Sequence, residues 1–173
     1  MKAYLALPPT LAAVALSGAA LAQAPAAPPG PPAPPARGPS LELSIQAAET
    51  AAAACAANGY KVAVSIVDSG GVLKVLHAAD GASSRAVDSS TKKAQTALVF
   101  KMPTSEVAAK VKTDEALAAK LAVDTNLFAR AGGLPLMAGN DLIGAIGVGG
   151  APGGEKDEAC ATAAVDKIKA GLK

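Results

Sequence analysis

Tryptophan is absent from this 173-residue chain, and it has only two tyrosines and two phenylalanines. A single histidine, His77, and two cysteines, Cys55 and Cys160, are equally sparse. A lone histidine excludes any site that needs two histidine ligands from one subunit, including the usual zinc enzymes. Charge of one sign is lacking as well: removing Lys2 with the leader from the 16 basic residues leaves 15 against 14 acidic ones. That balance removes the electrostatic case for nucleic acid, and Tyr60, Phe100 and Phe128 are too few to form a stacking platform. No serine sits in a nucleophile elbow and neither cysteine has a histidine near it in sequence, so no Ser-His-Asp or Cys-His catalytic set is visible.

What is present begins with a leader. Lys2 precedes an apolar stretch from Leu5 to Leu21, and Ala20-Leu21-Ala22 offers the small-x-small pattern of signal-peptidase cleavage. Residues 1–22 are therefore predicted to be a signal peptide and the mature protein to be periplasmic or secreted. The alternative is a retained anchor, but Pro8 and Pro9 interrupt a stretch already short for a spanning helix. Residues 23–40 are mostly alanine, proline and glycine, the composition of an extended, solvated tether. Residues 41–173 remain as one ordinary domain with a single core. In an oxidising compartment, Cys55 and Cys160, in the first and last predicted helices, are expected to form a disulfide rather than two separate buried thiols.

Hydrophobic spacing divides the domain into elements. Leu41, Ile45, Ala48, Ala52 and Cys55 recur at helical intervals over residues 41–57, and Asn58-Gly59 ends that helix. Lys61 to Val67 and Val72 to His77 read as a hairpin across Asp68-Ser69-Gly70-Gly71. Ser83 or Ser84 caps a helix over residues 85–100, and Met102-Pro103 ends it. Thr104 is expected to N-cap the next helix, followed by a short helical piece over 114–122. Leu134 to Ala138 and Leu142 to Gly149 form a second hairpin, and residues 155–171 the last helix. A further strand near Asn126 to Arg130 carries a weak signal. Two hairpins among helices imply an antiparallel sheet covered by helices.

The second hairpin is unusual in its glycines. From Ile143 to Gly150, glycine or alanine fills almost every second position, which forfeits side-chain packing unless a backbone or ligand comes close. The expectation is a sheet face against which a planar guest or a sister subunit lies flush.

Several blocks recur in order: Val67-Asp68-Ser69-Gly70-Gly71-Val72-Leu73, Asp80-Gly81-Ala82, Lys93-Ala94-Gln95-Thr96-Ala97 and Pro103-Thr104-Ser105. Gly132-Gly133-Leu134-Pro135, Ile143-Gly144-Ala145-Ile146-Gly147-Val148 and Asp157-Glu158 complete the series. Through these blocks residues 41–172 resemble the GlcG/HbpS family, also called the haem-degrading or DUF336 domain. The resemblance implies an α+β, profilin-like fold in which about five antiparallel strands are sandwiched by α-helices. It also implies a symmetric homo-oligomer of up to eight copies. Exported members resemble a haem-binding accessory protein of a membrane sensor kinase, and others sit beside glycolate or cobalamin genes. One departure is Ala78, where many members carry a basic residue two positions before the Asp-Gly-Ala aspartate.

Candidate ligand-binding residues follow. His77 could ligate haem iron through a neutral ring nitrogen, or simply hydrogen-bond Asp80 or solvent at a strand end. Thr104 matches the Pro-Thr-Ser motif in which a threonine has been proposed as an iron ligand in a haem-binding relative, although helix capping already explains it. Met102 offers a softer sulfur ligand or gap-filling packing. Lys92, Lys93 and Lys101 could pair with propionates or another carboxylate, Lys93 being the leading candidate because it lies in a family block. The loop Gly149 to Gly154 invites a phosphate, but its spacing fits no phosphate-binding motif, and Glu155, Asp157 and Glu158 crowd the following helix start. That acidic cluster could hold a cation weakly or stay solvated.

Three functions follow from these readings. One is a haem- or tetrapyrrole-binding protein acting in haem sensing, scavenging or protection. Another is an enzyme or accessory factor for a small organic acid, with slow haem degradation included. The third is a structural oligomer that presents the tether or docks on a membrane protein.

Overall fold

The computed structural model describes residues 35–173, so the leader and residues 23–34 of the tether lie outside the described part. Helix α1 (Leu41–Ala56) opens the domain, and the Ser40 hydroxyl caps it by accepting the Leu43 N–H at 3.1 Å. Strands β1 (Ala63–Asp68) and β2 (Leu73–Ala78) form the first hairpin. Helices α2 (Ser84–Phe100), α3 (Thr104–Lys110) and α4 (Glu115–Val123) follow. Strands β3 (Gly133–Ala138) and β4 (Asp141–Gly149) precede helix α5 (Gly154–Ile168) and a 3-10 turn. Ser83, one of the two serines expected to cap, caps α2 through the Ala86 N–H.

The sheet is antiparallel throughout, in the order β2-β1-β4-β3. It has four strands rather than about five. Residues 126–130 form no strand, because the Phe128 N–H is bonded at 2.7 Å to the Thr96 hydroxyl of α2 and Leu127 is buried.

Helices α1 and α5 cover one face. Ala47, Ala48, Ala51 and Cys55 of α1 pack with Cys160, Ala161 and Ala164 of α5 over Val64, Ile66, Ile146 and Val148. Small side chains along both helices let their axes approach closely. Cys55 and Cys160 are joined by a disulfide there, with their Cα atoms 5.6 Å apart.

Helix α2 covers the opposite face, and this corrects the expectation for the glycine strand. An added Cβ at Gly147 would lie 2.6 Å from the Ala94 nitrogen and would collide with the Ser90 carbonyl. At Gly149 it would meet the Ser89 hydroxyl and the Ala86 carbonyl. The backbone that approaches the sheet is thus the chain's own α2, not a planar guest or a sister subunit. Ser65 of β1 completes the contact, its hydroxyl lying 2.8 Å from Ser90 and 3.0 Å from Thr91.

The end of the predicted tether is docked. Arg37 donates its backbone N–H to Ser69 Oγ and accepts the Ser69 N–H, and Lys74 Nζ donates to the Pro39 carbonyl at 2.8 Å. Pro39 is buried, and a Cβ added at Gly144 would lie 3.4 Å from its Cδ. Gly38 can run this close because a Cβ there would be 2.8 Å from Asp68 Cβ. Composition suggests a solvated tether up to residue 40, yet backbone groups of Arg37 and Pro39 find specific partners on the first hairpin.

Candidate functional site

The first turn of α2, the segment before β3 and the loop from β4 to α5 enclose a cleft of about 340 Å³. Three cations, Arg85, Lys93 and Arg130, line it against one carboxylate, Asp157.

Its floor is a buried ion pair. Lys93 Nζ donates to Asp157 Oδ2 at 2.6 Å and to the Val148 carbonyl at 2.8 Å, and both side chains are at most 4% exposed. Asp157 Oδ1 accepts the Ala151 N–H at 2.9 Å. Burial lowers the Lys93 pKa and raises that of Asp157, each against the pull of its partner, so desolvation pushes the pair toward its neutral forms. Gly132 makes room for the floor: its φ is +121°, and a Cβ there would lie 2.8 Å from Lys93 Nζ. Next to it, Glu158 accepts the Gly132 N–H at 3.1 Å and the Ser105 hydroxyl at 2.7 Å.

The mouth carries different chemistry. Arg85 and Arg130 are exposed, and among the described residues neither has a carboxylate within ion-pair distance. The Arg130 guanidinium stands 6.0 Å over the Phe128 ring, at the distance where a cation–π contact orients it. Two exposed guanidiniums without a carboxylate partner among the described residues, one of them oriented by Phe128, favour an anionic guest beside the buried floor.

The residues singled out in the sequence do not gather here. Lys93 lines the cleft with its charge paired to Asp157. Lys92 pairs with Asp88 at 2.9 Å, and Lys101 is exposed at the end of α2. His77 is half-buried on the other face of the sheet, in a groove beside Glu49, Ala52 and Asp80. Met102 is half-buried between α2 and α3. Thr104 does not cap its helix: Pro103 holds the cap position, and Thr104 is the first helical residue. Its fully buried hydroxyl accepts the Gly133 N–H at 2.8 Å, which ties α3 to β3.

The acidic cluster is not an open cation site either. Asp157 is spent on Lys93 and Ala151, Glu158 on Gly132 and Ser105, and among the described residues no group of three or more His, Cys, Asp or Glu could hold a metal. Arg85 and Arg130 went unnoticed in the sequence because neither lies in a motif. The usable signal is scarcity, since Arg37, Arg85 and Arg130 are the only arginines in the chain.

Comparison with known proteins places this geometry in context. Residues 40–166 match the family described as haem degrading protein, HbpS-like. A crystal structure of a double mutant of Streptomyces reticuli HbpS aligns with a TM-score of 0.72 at 35% identity, covering 85% of this chain and 98% of that one. ORFY of Klebsiella pneumoniae, a DUF336 protein, aligns at 0.71 and 28% identity over 76% of this chain and 90% of that one. PduOC, solved as a haem complex, aligns at 0.70 and 26% identity over 76% and 95%. No protein of curated function matches the sequence.

Proposed function

The chain belongs to the HbpS-like family of haem-degrading proteins, and from that premise we propose that it is an exported haem- or tetrapyrrole-binding protein acting in haem sensing, scavenging or protection. The observation that carries the reading is the likeness to PduOC, which was crystallised with haem. The leader, Lys2 through Ala22, supports export. A membrane sensor protein is the proposed partner, by analogy with the accessory role implied for exported members.

The cleft fits one end of such a ligand. At about 340 Å³ it is at the low end for small-molecule sites, so it has room for a propionate arm and not for the macrocycle. The ring therefore rests on residues outside it. Edge strand β2 carries Leu73 and Leu76, each 43% exposed, and a homo-oligomer would cover such surface. Haem, when bound, supplies redox-active iron, while this chain's own contribution at the cleft is cationic anchoring and exclusion of water.

Titrating the full mature chain with haem tests the reading. A Soret shift that saturates at a fixed stoichiometry is expected, together with a haem band in protein purified from its own exported fraction. No shift at stoichiometric haem would end it.

A further inference from the structure

Arg85 and Arg130, neither of which has a carboxylate partner among the described residues, line a cleft whose third cation, Lys93, is paired with Asp157. Hydrogen bonds hold the Lys93–Asp157 pair in place, two of the three Lys93 donors going to the Val148 carbonyl and the Asp157 carboxylate. The β4–α5 loop carries carboxylates of its own beside its amides. Ala151 N–H goes to Asp157, and the Glu155 carboxylate folds over Gly153, where an added Cβ would collide with it. The cations left to an incoming anion are therefore two guanidiniums, each a planar fork that matches the two coplanar oxygens of a carboxylate.

A third donor is available beside them. The Ser83 oxygen accepts the Ala86 N–H, which leaves its hydroxyl proton free to point into the cleft that Ser83 lines. Phe128 and Pro152 supply the apolar part of the wall. The cleft thus offers both cations and carbon surface, with the Arg130 guanidinium 6.0 Å over the Phe128 ring.

We propose that this cleft is a carboxylate-binding site in which Arg85 and Arg130 grip the anion of a short aliphatic chain lying against Phe128 and Pro152. Two sources share that chemistry: the propionate arm of a tetrapyrrole and a free small organic acid. For the first source the proposal rests on the haem reading, and for the second it stands on the cleft alone. Lys93 is a positioning residue that keeps the floor closed and dry, not the group that binds the ligand.

The test uses the full mature chain, with propionate and glutarate followed by calorimetry or chemical-shift titration, and protoporphyrin IX with its dimethyl ester followed by absorbance. Saturable binding of either acid, weakened tenfold or more in Arg85→Gln and in Arg130→Gln and partly restored in Arg85→Lys, is expected. Both arginines are exposed, so unchanged thermal midpoints should accompany the loss. Arginine-dependent binding of protoporphyrin but not of its ester, with the free acids silent, assigns the carboxylate to a tetrapyrrole. Arginine-dependent binding of the free acids, with protoporphyrin and ester alike, assigns it to a small acid. If no tetrapyrrole binds in any form while the acids do, the haem reading fails and the cleft proposal stands. The proposal is overturned if neither source binds in an arginine-dependent way, or if inorganic phosphate binds as tightly as the carboxylates at the same arginines.

Discussion

Lys93 and Asp157 show how far one residue pair can be from its apparent role. A lysine in a family block beside a helix looks like a ligand for an outside carboxylate, yet the fold provides the carboxylate itself, 64 residues further along the chain. Removing one partner leaves a buried charge alone, which costs about 3–5 kcal/mol. Lys93→Met should therefore lower unfolding free energy by about that amount, and adding Asp157→Leu should recover most of it, because the second change removes the orphaned charge. Denaturant unfolding of the three proteins reads both effects, and a double variant no more stable than the single one would contradict the account. The same pair sets a pH dependence. Between the ordinary carboxylate value of 3.8 and the raised value of folded Asp157, the folded chain holds a proton the unfolded chain has released, so stability falls as pH rises through that window. Lys93 acts in the opposite direction at alkaline pH: between its lowered value and 10.5 the unfolded chain binds the extra proton, and stability rises with pH. Asp157→Asn should lose the acid-side slope while keeping the alkaline one.

At the scale of elements, helix and hairpin periodicity was legible because it depends on neighbours three, four or two positions away. Helix α1, both hairpins and α5 stand close to where their spacing places them. What each glycine faces depends on a partner distant in sequence. Gly147 lies under Ser90 and Ala94, so the bare strand is a bed for α2 rather than an open surface. Gly147→Ala forces backbone, not a flexible side-chain end, to move, and over-packing of this kind costs about 1–3 kcal/mol. A urea midpoint unchanged by that substitution would mean that α2 is not seated as described. Thr104 teaches the same lesson: its local sequence explains a cap, but Gly133, 29 residues away, takes its hydroxyl.

At the scale of the whole molecule, the Cys55–Cys160 disulfide joins the first and last helices across 105 residues. Closing a loop of that length stabilises the folded state by about 5 kcal/mol in the chain-entropy description. Cys55→Ser with Cys160→Ser, or full reduction, should lower the thermal midpoint substantially while leaving far-UV circular dichroism unchanged below the transition. Two titratable thiols in the denatured, unreduced mature protein would refute the bridge.

Amino-acid order alone determined the helices, the two hairpins and the family, since each follows from short-range spacing or an ordered series of motifs. Only the tertiary structure decided that α2 fills the glycine face, that Lys93 belongs to Asp157, and that Arg85 and Arg130 share one cleft. Those outcomes depend on which distant groups meet once water is excluded, and neither periodicity nor motif spacing encodes that meeting directly.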